Sequence, residues 1–326
     1  MRLETSVTRL LGIRLPILQA GMSWASSNAA LPCAVSQAGG LGVIAAGPMY
    51  VEALEQAIDE VRAGTDQPFG VNMPLYRKGA DDVLDLLEAK RIPILIASQG
   101  GPSRYLDRFK AIGTKCIHVV ASEEHAVKAM NSGVDALVAV GGEAGGHPPP
   151  ELVSTLVLTR AVLRATENRI PVIASGGFAD GYGLAAALSL GAGAANFGTR
   201  FIASPEAGVT EAYKTAVVSA GVSDTRTVGR GLGMIRALKN DFTDRMEVLE
   251  AAGKDIDARR AAFLETSLKT AAFDGDIDRG KVEAGQSVGL VDHIMPAGDI
   301  VAAIARDYLD AVKRLPRAEP ESQDQT

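Results

Sequence analysis

Aromatic side chains make up only 5% of the 326 residues, and the chain has one tryptophan and two cysteines. Cys33 and Cys116 lie far apart, with neither CxxC spacing nor a histidine cluster nearby, so no metal site is expected. Both are expected to stay reduced in the core, where a free thiol behaves as a small hydrophobe. A basic stripe is also missing: the formal charge of -6 is spread along the chain, which removes the electrostatic footprint of a nucleic-acid binder. No run approaches the roughly 18 uninterrupted apolar residues of a membrane span. The start of the chain, from Met1 to Arg9, carries charges where a signal peptide needs an apolar stretch, so the expectation is a cytoplasmic protein with no membrane partner. Neither HExxH nor a Ser-His-Asp signature occurs, which leaves hydrolysis without support.

What is present is apolar content of 47% against 22% charged residues, enough for a large buried core. Short β-rich runs recur at 16–22, 41–47, 69–75, 92–100, 115–122, 136–142, 171–177 and 194–200. Each leads through small or Gly-rich residues into a helical pattern, the alternation of parallel βα units. Ile92-Pro93-Ile94-Leu95-Ile96 and Pro171-Val172-Ile173-Ala174 are continuously apolar, as strands covered on both faces should be. The stretches 51–63 and 123–131 space their apolar residues at helical intervals and are expected as outer helices.

Eight such units predict an α/β fold of the (β/α)8 or TIM barrel type, with an open doubly wound sheet as the alternative. Residues 1–315 are expected to form one domain. Within it, 205–285 reads as a helical excursion over the barrel mouth with no further strand, and 300–315 as a closing helix. The polar tail 316–326 is expected to be disordered.

In a barrel, chemistry gathers at the carboxyl ends of the strands, and phosphate at the loops after strands seven and eight. Those loops read Ser175-Gly176-Gly177-Phe178-Ala179-Asp180-Gly181 and Phe197-Gly198-Thr199-Arg200, where glycine lets amide groups approach a phosphate. Arg200 could neutralise such a phosphate or pair on the barrel wall. Ala20, Gly21 and Met22 end the first strand, where small residues admit either a flat ring or close strand packing. Asn72, near the end of the third, offers a donor and an acceptor to a ring or to its own loop. Trp24 and Tyr76 are candidates for the pocket wall, for core or for surface. The sixth strand leads into Gly141-Gly142-Glu143-Ala144-Gly145-Gly146-His147. Of four histidines, only His147 follows a flexible strand-end loop, which makes it the candidate acid or base, with an ordinary loop role as the alternative.

These segments resemble the nitronate monooxygenase family, formerly the 2-nitropropane dioxygenases, and its relatives, the FMN-dependent enoyl-ACP reductases and NADH:quinone reductases. The resemblance runs from Pro16-Ile17-Leu18-Gln19-Ala20-Gly21-Met22 through Gln37-Ala38-Gly39-Gly40-Leu41-Gly42, Pro68-Phe69-Gly70-Val71-Asn72 and Glu143-Ala144-Gly145-Gly146-His147. It continues through Ala174-Ser175-Gly176-Gly177-Phe178 and Gly198-Thr199-Arg200-Phe201 to Ala284-Gly285-Gln286. It implies a flavoprotein oxidoreductase with FMN as cofactor, its ring held around Ala20, Gly21, Met22 and Asn72. The phosphate would lie at Gly176, Gly177, Gly198 and Thr199, with Gly145, Gly146 and Ser175 contributing to the nucleotide site. His147 would act as base or orienting donor, and Gln286 would fold back towards the cofactor.

The activity implied first is oxidation of alkyl nitronates with O2 to carbonyl compounds and nitrite. The alternatives are NADH- or NADPH-dependent reduction of enoyl thioesters or quinones, and a non-catalytic flavin-binding barrel. Where relatives commonly place a glycine soon after the histidine, this chain has Pro148-Pro149-Pro150, which stiffens the loop. A homodimer is compatible with the sequence.

Overall fold

The computed structural model describes residues 1–316. The continuous apolar runs become eight parallel strands: β1 (Ile17–Gln19), β2 (Gly42–Ala45), β3 (Phe69–Pro74), β4 (Ile94–Ser98), β5 (Lys115–Val120), β6 (Ala136–Val140), β7 (Val172–Ser175) and β8 (Ala194–Phe197). Neighbours in sequence pair in register from β2 to β8, and β8 pairs with β1, Leu18 lying opposite Asn196. The remaining seam, β1 to β2, is closed by two main-chain bonds: Leu41 donates to the Ile17 carbonyl and Gln19 to the Leu41 carbonyl, each at 2.9 Å. The buried Gln19 side chain extends this seam, its Oε1 accepting from the Val43 amide at 2.9 Å and its Nε2 donating to the Val43 carbonyl at 3.2 Å. The architecture is a TIM barrel.

Leu18, Val43, Ile94, Ile117, Val138 and Ile173 fill the lumen. Helix Ser6–Leu11, not foreseen from the sequence, adds Val7 and Leu11 to that cluster. It sits at the amino ends of the strands: Thr5 Oγ1 donates to the Gly193 carbonyl at 2.6 Å, immediately before β8. The base of the barrel is thus plugged, and the open end is the carboxyl end.

Helices Ala30–Ala38, Val51–Gly64, Ala80–Ala89, Leu106–Ala111, Glu123–Ser132, Thr155–Ala165 and Gly181–Ser189 alternate with the strands outside. The ring is completed by helix Ala297–Arg314, which packs against both Ala30–Ala38 and Gly181–Ser189. Contact there is so close that a Cβ at Gly181 would lie 2.0 Å from the Tyr308 amide nitrogen.

The excursion differs from expectation. Helices Glu211–Ser219, Asp241–Ala251, Ile256–Leu264 and Leu268–Ala272 are present, but so is an antiparallel pair, β9 (Thr225–Val228) and β10 (Ile235–Leu238). Each strand is four residues long, and β9 (Thr-Arg-Thr-Val) carries a single apolar residue, so the pattern left no strand signal. The pair belongs to a small core of its own with Phe242, Met246, Ala262 and Phe263. The eighth strand is also shorter than expected: the chain turns at Gly198 into the helical segment Thr199–Ile202. Cys116 is buried while Cys33 is only half-buried, against the expectation that both lie in the core. Of the polar tail, all but residue 316 lies outside the described residues.

Candidate active site

A cavity of about 1300 Å³ opens at the carboxyl ends of the strands. Its wall brings together Ala20, Gly21 and Met22 after β1, Asn72 of β3, and Gly145, Gly146 and His147 after β6. Ser175, Gly176 and Gly177 join from β7, with Gly198 and Thr199 after β8. Trp24 and Tyr76 line it too, Trp24 packed edge-on against Phe273 with ring centroids 4.8 Å apart.

At one end, Gly176 and Gly177 take left-handed conformations, φ +111° and +80°. Together with Gly198 and Thr199 they present main-chain N–H groups that have no acceptor among the described residues. Half-buried amides without partners are costly unless a ligand completes them. Thr199 Oγ1 accepts from the Gly285 amide at 2.9 Å and retains its own proton to donate. Asp180 caps the following helix, accepting from the Gly183 amide at 2.9 Å, so that helix terminus is already satisfied. Arg200 belongs to the barrel wall: it is buried, donates to the His293 carbonyl at 3.0 Å, and is absent from the cavity lining.

In the middle of the cavity, Gly21 meets Asn72 so closely that a Cβ there would stand 2.4 Å from Asn72 Cβ. Asn72 Nδ2 donates to the Ile96 carbonyl at 3.1 Å, which fixes the amide plane and leaves Oδ1 as an acceptor. Gly21 and Asn72 thus pack directly against each other at the β1 and β3 ends, and both line the cavity. Ser175 Oγ, deeper in, accepts from Asn196 Nδ2 at 3.0 Å.

At the mouth stands His147. Its side chain is exposed at the cavity, yet neighbouring protein still desolvates the ring enough to hold the imidazole below its ordinary pKa, with the Lys281 charge adding to the effect. The ring is therefore neutral near pH 7. Glu143, four residues earlier, is tied down by the Thr155 amide and hydroxyl, each 2.8 Å from its Oε2.

Two groups in the wall escaped the sequence reading. His118 of β5 is buried and faces the cavity, with Nδ1 2.9 Å from the Tyr105 hydroxyl, and burial lowers its pKa. A lone polar residue in the apolar run Cys116-Ile117-His118-Val119-Val120 was the available signal. Glu283 comes from the end of the excursion, and burial raises its carboxyl to about 7. Nothing in the local sequence announces it. Gln286 is not brought in: its amide donates to the Glu143 carbonyl at 2.9 Å, but its side chain is exposed and outside the lining. Among the described residues, no cluster of His, Cys, Asp and Glu could hold a metal, and no helix is long and apolar enough to cross a membrane.

The sequence profile of the nitronate monooxygenase family matches residues 4–92 and 76–307 of this chain. A Mycobacterium tuberculosis protein named (3aS,4S,5R,7aS)-5-hydroxy-7a-methyl-1-oxo-octahydro-1H-indene-4-carboxyl-CoA dehydrogenase is 33% identical, the alignment covering 98% of this chain and 99% of the relative. The nitronate monooxygenase of Paraburkholderia phytofirmans is 30% identical over 94% of this chain and 95% of its own. Among solved structures, FabK from Thermotoga maritima superposes with a TM-score of 0.89 at 41% identity, covering 96% of this chain and 98% of FabK.

Proposed function

The chain belongs to the nitronate monooxygenase family of oxidoreductases, and we propose that it is FMN-dependent, holding the flavin along the carboxyl ends of β1, β3, β7 and β8. The observation that carries this is the set of unpartnered amides at Gly176, Gly177, Gly198 and Thr199, in the same cavity wall as Gly21 and Asn72. Four strand-end N–H groups without acceptors suit a phosphate monoester, and Asn72 Oδ1, which has no donor among the described residues, suits the N–H of a planar ring. Drug-sized pockets span about 300–1,000 Å³. At about 1300 Å³ the cavity has room for a nucleotide and a substrate together.

Bound there, FMN supplies reversible hydride and single-electron transfer. The chain's own residues do the rest. The amides fix the phosphate, Asn72 and Gly21 set the ring plane, and the neutral His147 imidazole accepts or orients a substrate proton at the mouth. The open mouth admits NADH or NADPH without a dinucleotide-binding fold.

For the substrate, two observations favour an acyl thioester reduced or oxidised at the flavin over a small nitronate, although the sequence motifs put the nitronate first. The cavity continues past His118 to His125 and Lys128 of helix Glu123–Ser132, and Lys269 lines its other side. Both lysines are exposed and have no acidic partner among the described residues, a rim that suits the phosphates of a carrier arm and that a small anion does not need. The CoA-thioester relative, aligned over nearly its whole length, supports the same reading.

The test is anaerobic stopped-flow absorbance of the flavin-loaded protein. Reduction by NADH or NADPH and reoxidation by a short enoyl-CoA supports the thioester reading. Reduction by an alkyl nitronate alone returns the assignment to nitronate oxidation. A protein that binds no FMN overturns both.

A further inference from the structure

The group with the least accounted-for chemistry in the cavity is the Glu283 carboxylate. Its backbone is fixed from two sides: the Tyr213 hydroxyl donates to its carbonyl at 2.8 Å, and Ala237 of β10 bridges to it. The side chain faces the cavity and takes no hydrogen bond or ion pair from any described residue. Its Oε2 lies 3.1 Å from where a Cβ on Gly146 would stand, one residue before His147. A carboxylate with a rigid backbone, no protein partner and a place beside the candidate base is built to meet something that enters.

The surrounding charges explain its state. Lys281, two residues earlier, is buried and turned away, its ammonium 3.5 Å from the centre of the Phe263 ring, and does not reach a salt bridge. From the β6 loop face His147, held neutral, and Glu143, held by Thr155. Arg236 of β10 spends its guanidinium on the Gly142 carbonyl at 2.9 Å. On the helix side stands the neutral Tyr213 phenol, and at the rim the exposed Lys269. With no cation in contact, desolvation dominates and the carboxyl titrates at about 7.

We propose that Glu283 is a second proton-carrying catalytic residue of this cavity, acting beside His147 on the substrate. The inference rests on the thioester reading above. In that reaction hydride originating from the reduced nicotinamide reaches the β-carbon through the flavin, and the electron pair of the carbon–carbon double bond moves to the α-carbon as an enolate. The Glu283 O–H bond then breaks, its proton forms the new α C–H bond with that pair, and the carboxylate regains a proton from water at the mouth. In the reverse direction the carboxylate takes the α-proton.

The experiment uses the flavin-loaded protein and its Glu283→Gln and Glu283→Asp variants, with crotonyl-CoA as probe. Reduction by the nicotinamide should change less than about two-fold, while reoxidation by crotonyl-CoA should slow about 10²-fold or more in Glu283→Gln and recover in part in Glu283→Asp. The wild-type reoxidation rate should fall as pH rises through about 7, and that limb should be missing in Glu283→Gln. Infrared difference spectra give a second readout: a protonated-carboxyl band lost with a midpoint near 7 in wild type and absent from Glu283→Gln. Unchanged reoxidation with the limb intact, or a band titrating near the ordinary 4.5, overturns the proposal. If crotonyl-CoA fails to reoxidise even the wild type while the infrared midpoint stays near 7, the thioester reading falls. The same comparison of variants is then run with an alkyl nitronate, where an equal rate in wild type and Glu283→Gln overturns the role of Glu283.

Discussion

Gly146 and Arg236 exchange both main-chain hydrogen bonds, Gly146 donating at 3.2 Å and Arg236 at 2.7 Å. This one pair joins the hairpin outside the barrel to the loop that carries His147. The Arg236 side chain reinforces it through the Gly142 carbonyl and Thr225 Oγ1, so both ends of the loop hang on one residue. Arg236→Ala leaves the Gly142 carbonyl without its charged donors, a loss of about 1.5–3 kcal/mol. Thermal melts should show the lower stability, and steady-state kinetics should show a fall in kcat larger than the change in FMN affinity, because the loop and not the phosphate end is loosened.

Gly21→Ala should act on the flavin instead. The added methyl would stand 2.4 Å from Asn72 Cβ, and Asn72 is pinned to the Ile96 carbonyl, so the strand ends must separate or the Asn72 side chain must move. FMN retention, read by absorbance after gel filtration, should fall about 10-fold or more, equivalent to about 1.4 kcal/mol of binding. Equal retention in wild type and variant would remove Gly21 and Asn72 from the ring site.

Gln286→Ala separates the expectation drawn from family resemblance from the geometry. The main chain does fold back onto Glu143, and Gly285 and Ser287 line the cavity, but the Gln286 side chain is exposed. Its removal should leave FMN content and turnover within about two-fold of wild type, since an exposed side chain without a described partner contributes little.

His147 should set an acid limb. Its pKa lies below the ordinary imidazole value, so the base form is complete at neutral pH and is lost only as pH falls through the lowered value. In wild type, kcat/KM should drop on the acid side as pH falls through that lowered value, a limb separate from the Glu283 limb near 7. In His147→Gln the limb should vanish and the plateau should fall about 10²-fold or more. A limb that persists in the variant assigns the titration to another group.

Most of the barrel was legible in the sequence because strands buried on both faces leave uninterrupted apolar runs, and Ile94, Leu95 and Ile96 are all buried. Glycine-rich strand ends marked the cavity wall for a similar local reason. What escaped depends on contacts remote in sequence. Helix Ser6–Leu11 is too short for its periodicity to stand out, and its place is fixed by Gly193, nearly the whole barrel away. His118 looked like strand interior because alternation says which face a residue takes, but not that the β5 end borders a cavity. Glu283 is held at the site by the pairing of Ala237 with its backbone and by the Tyr213 hydroxyl, contacts that no local pattern encodes.

Glu283 also makes a prediction that needs no substrate. Its carboxyl titrates at about 7 in the folded chain against 4.5 when unfolded, so between those values the folded state binds more protons than the unfolded state. Stability must therefore fall as pH rises across that window and level off above it. Each tenfold change in proton affinity is worth about 1.4 kcal/mol, and water in the open cavity reduces the sum to about 1–2 kcal/mol. Glu283→Gln keeps the shape and removes the charge. Its melting temperature relative to wild type should therefore be lowest near pH 4.5 and climb by several degrees towards pH 7, remaining higher beyond it. A constant difference across that range would mean that the carboxyl is already paired in solution and ionised at its ordinary value, and Glu283 would then carry no proton to the substrate at neutral pH.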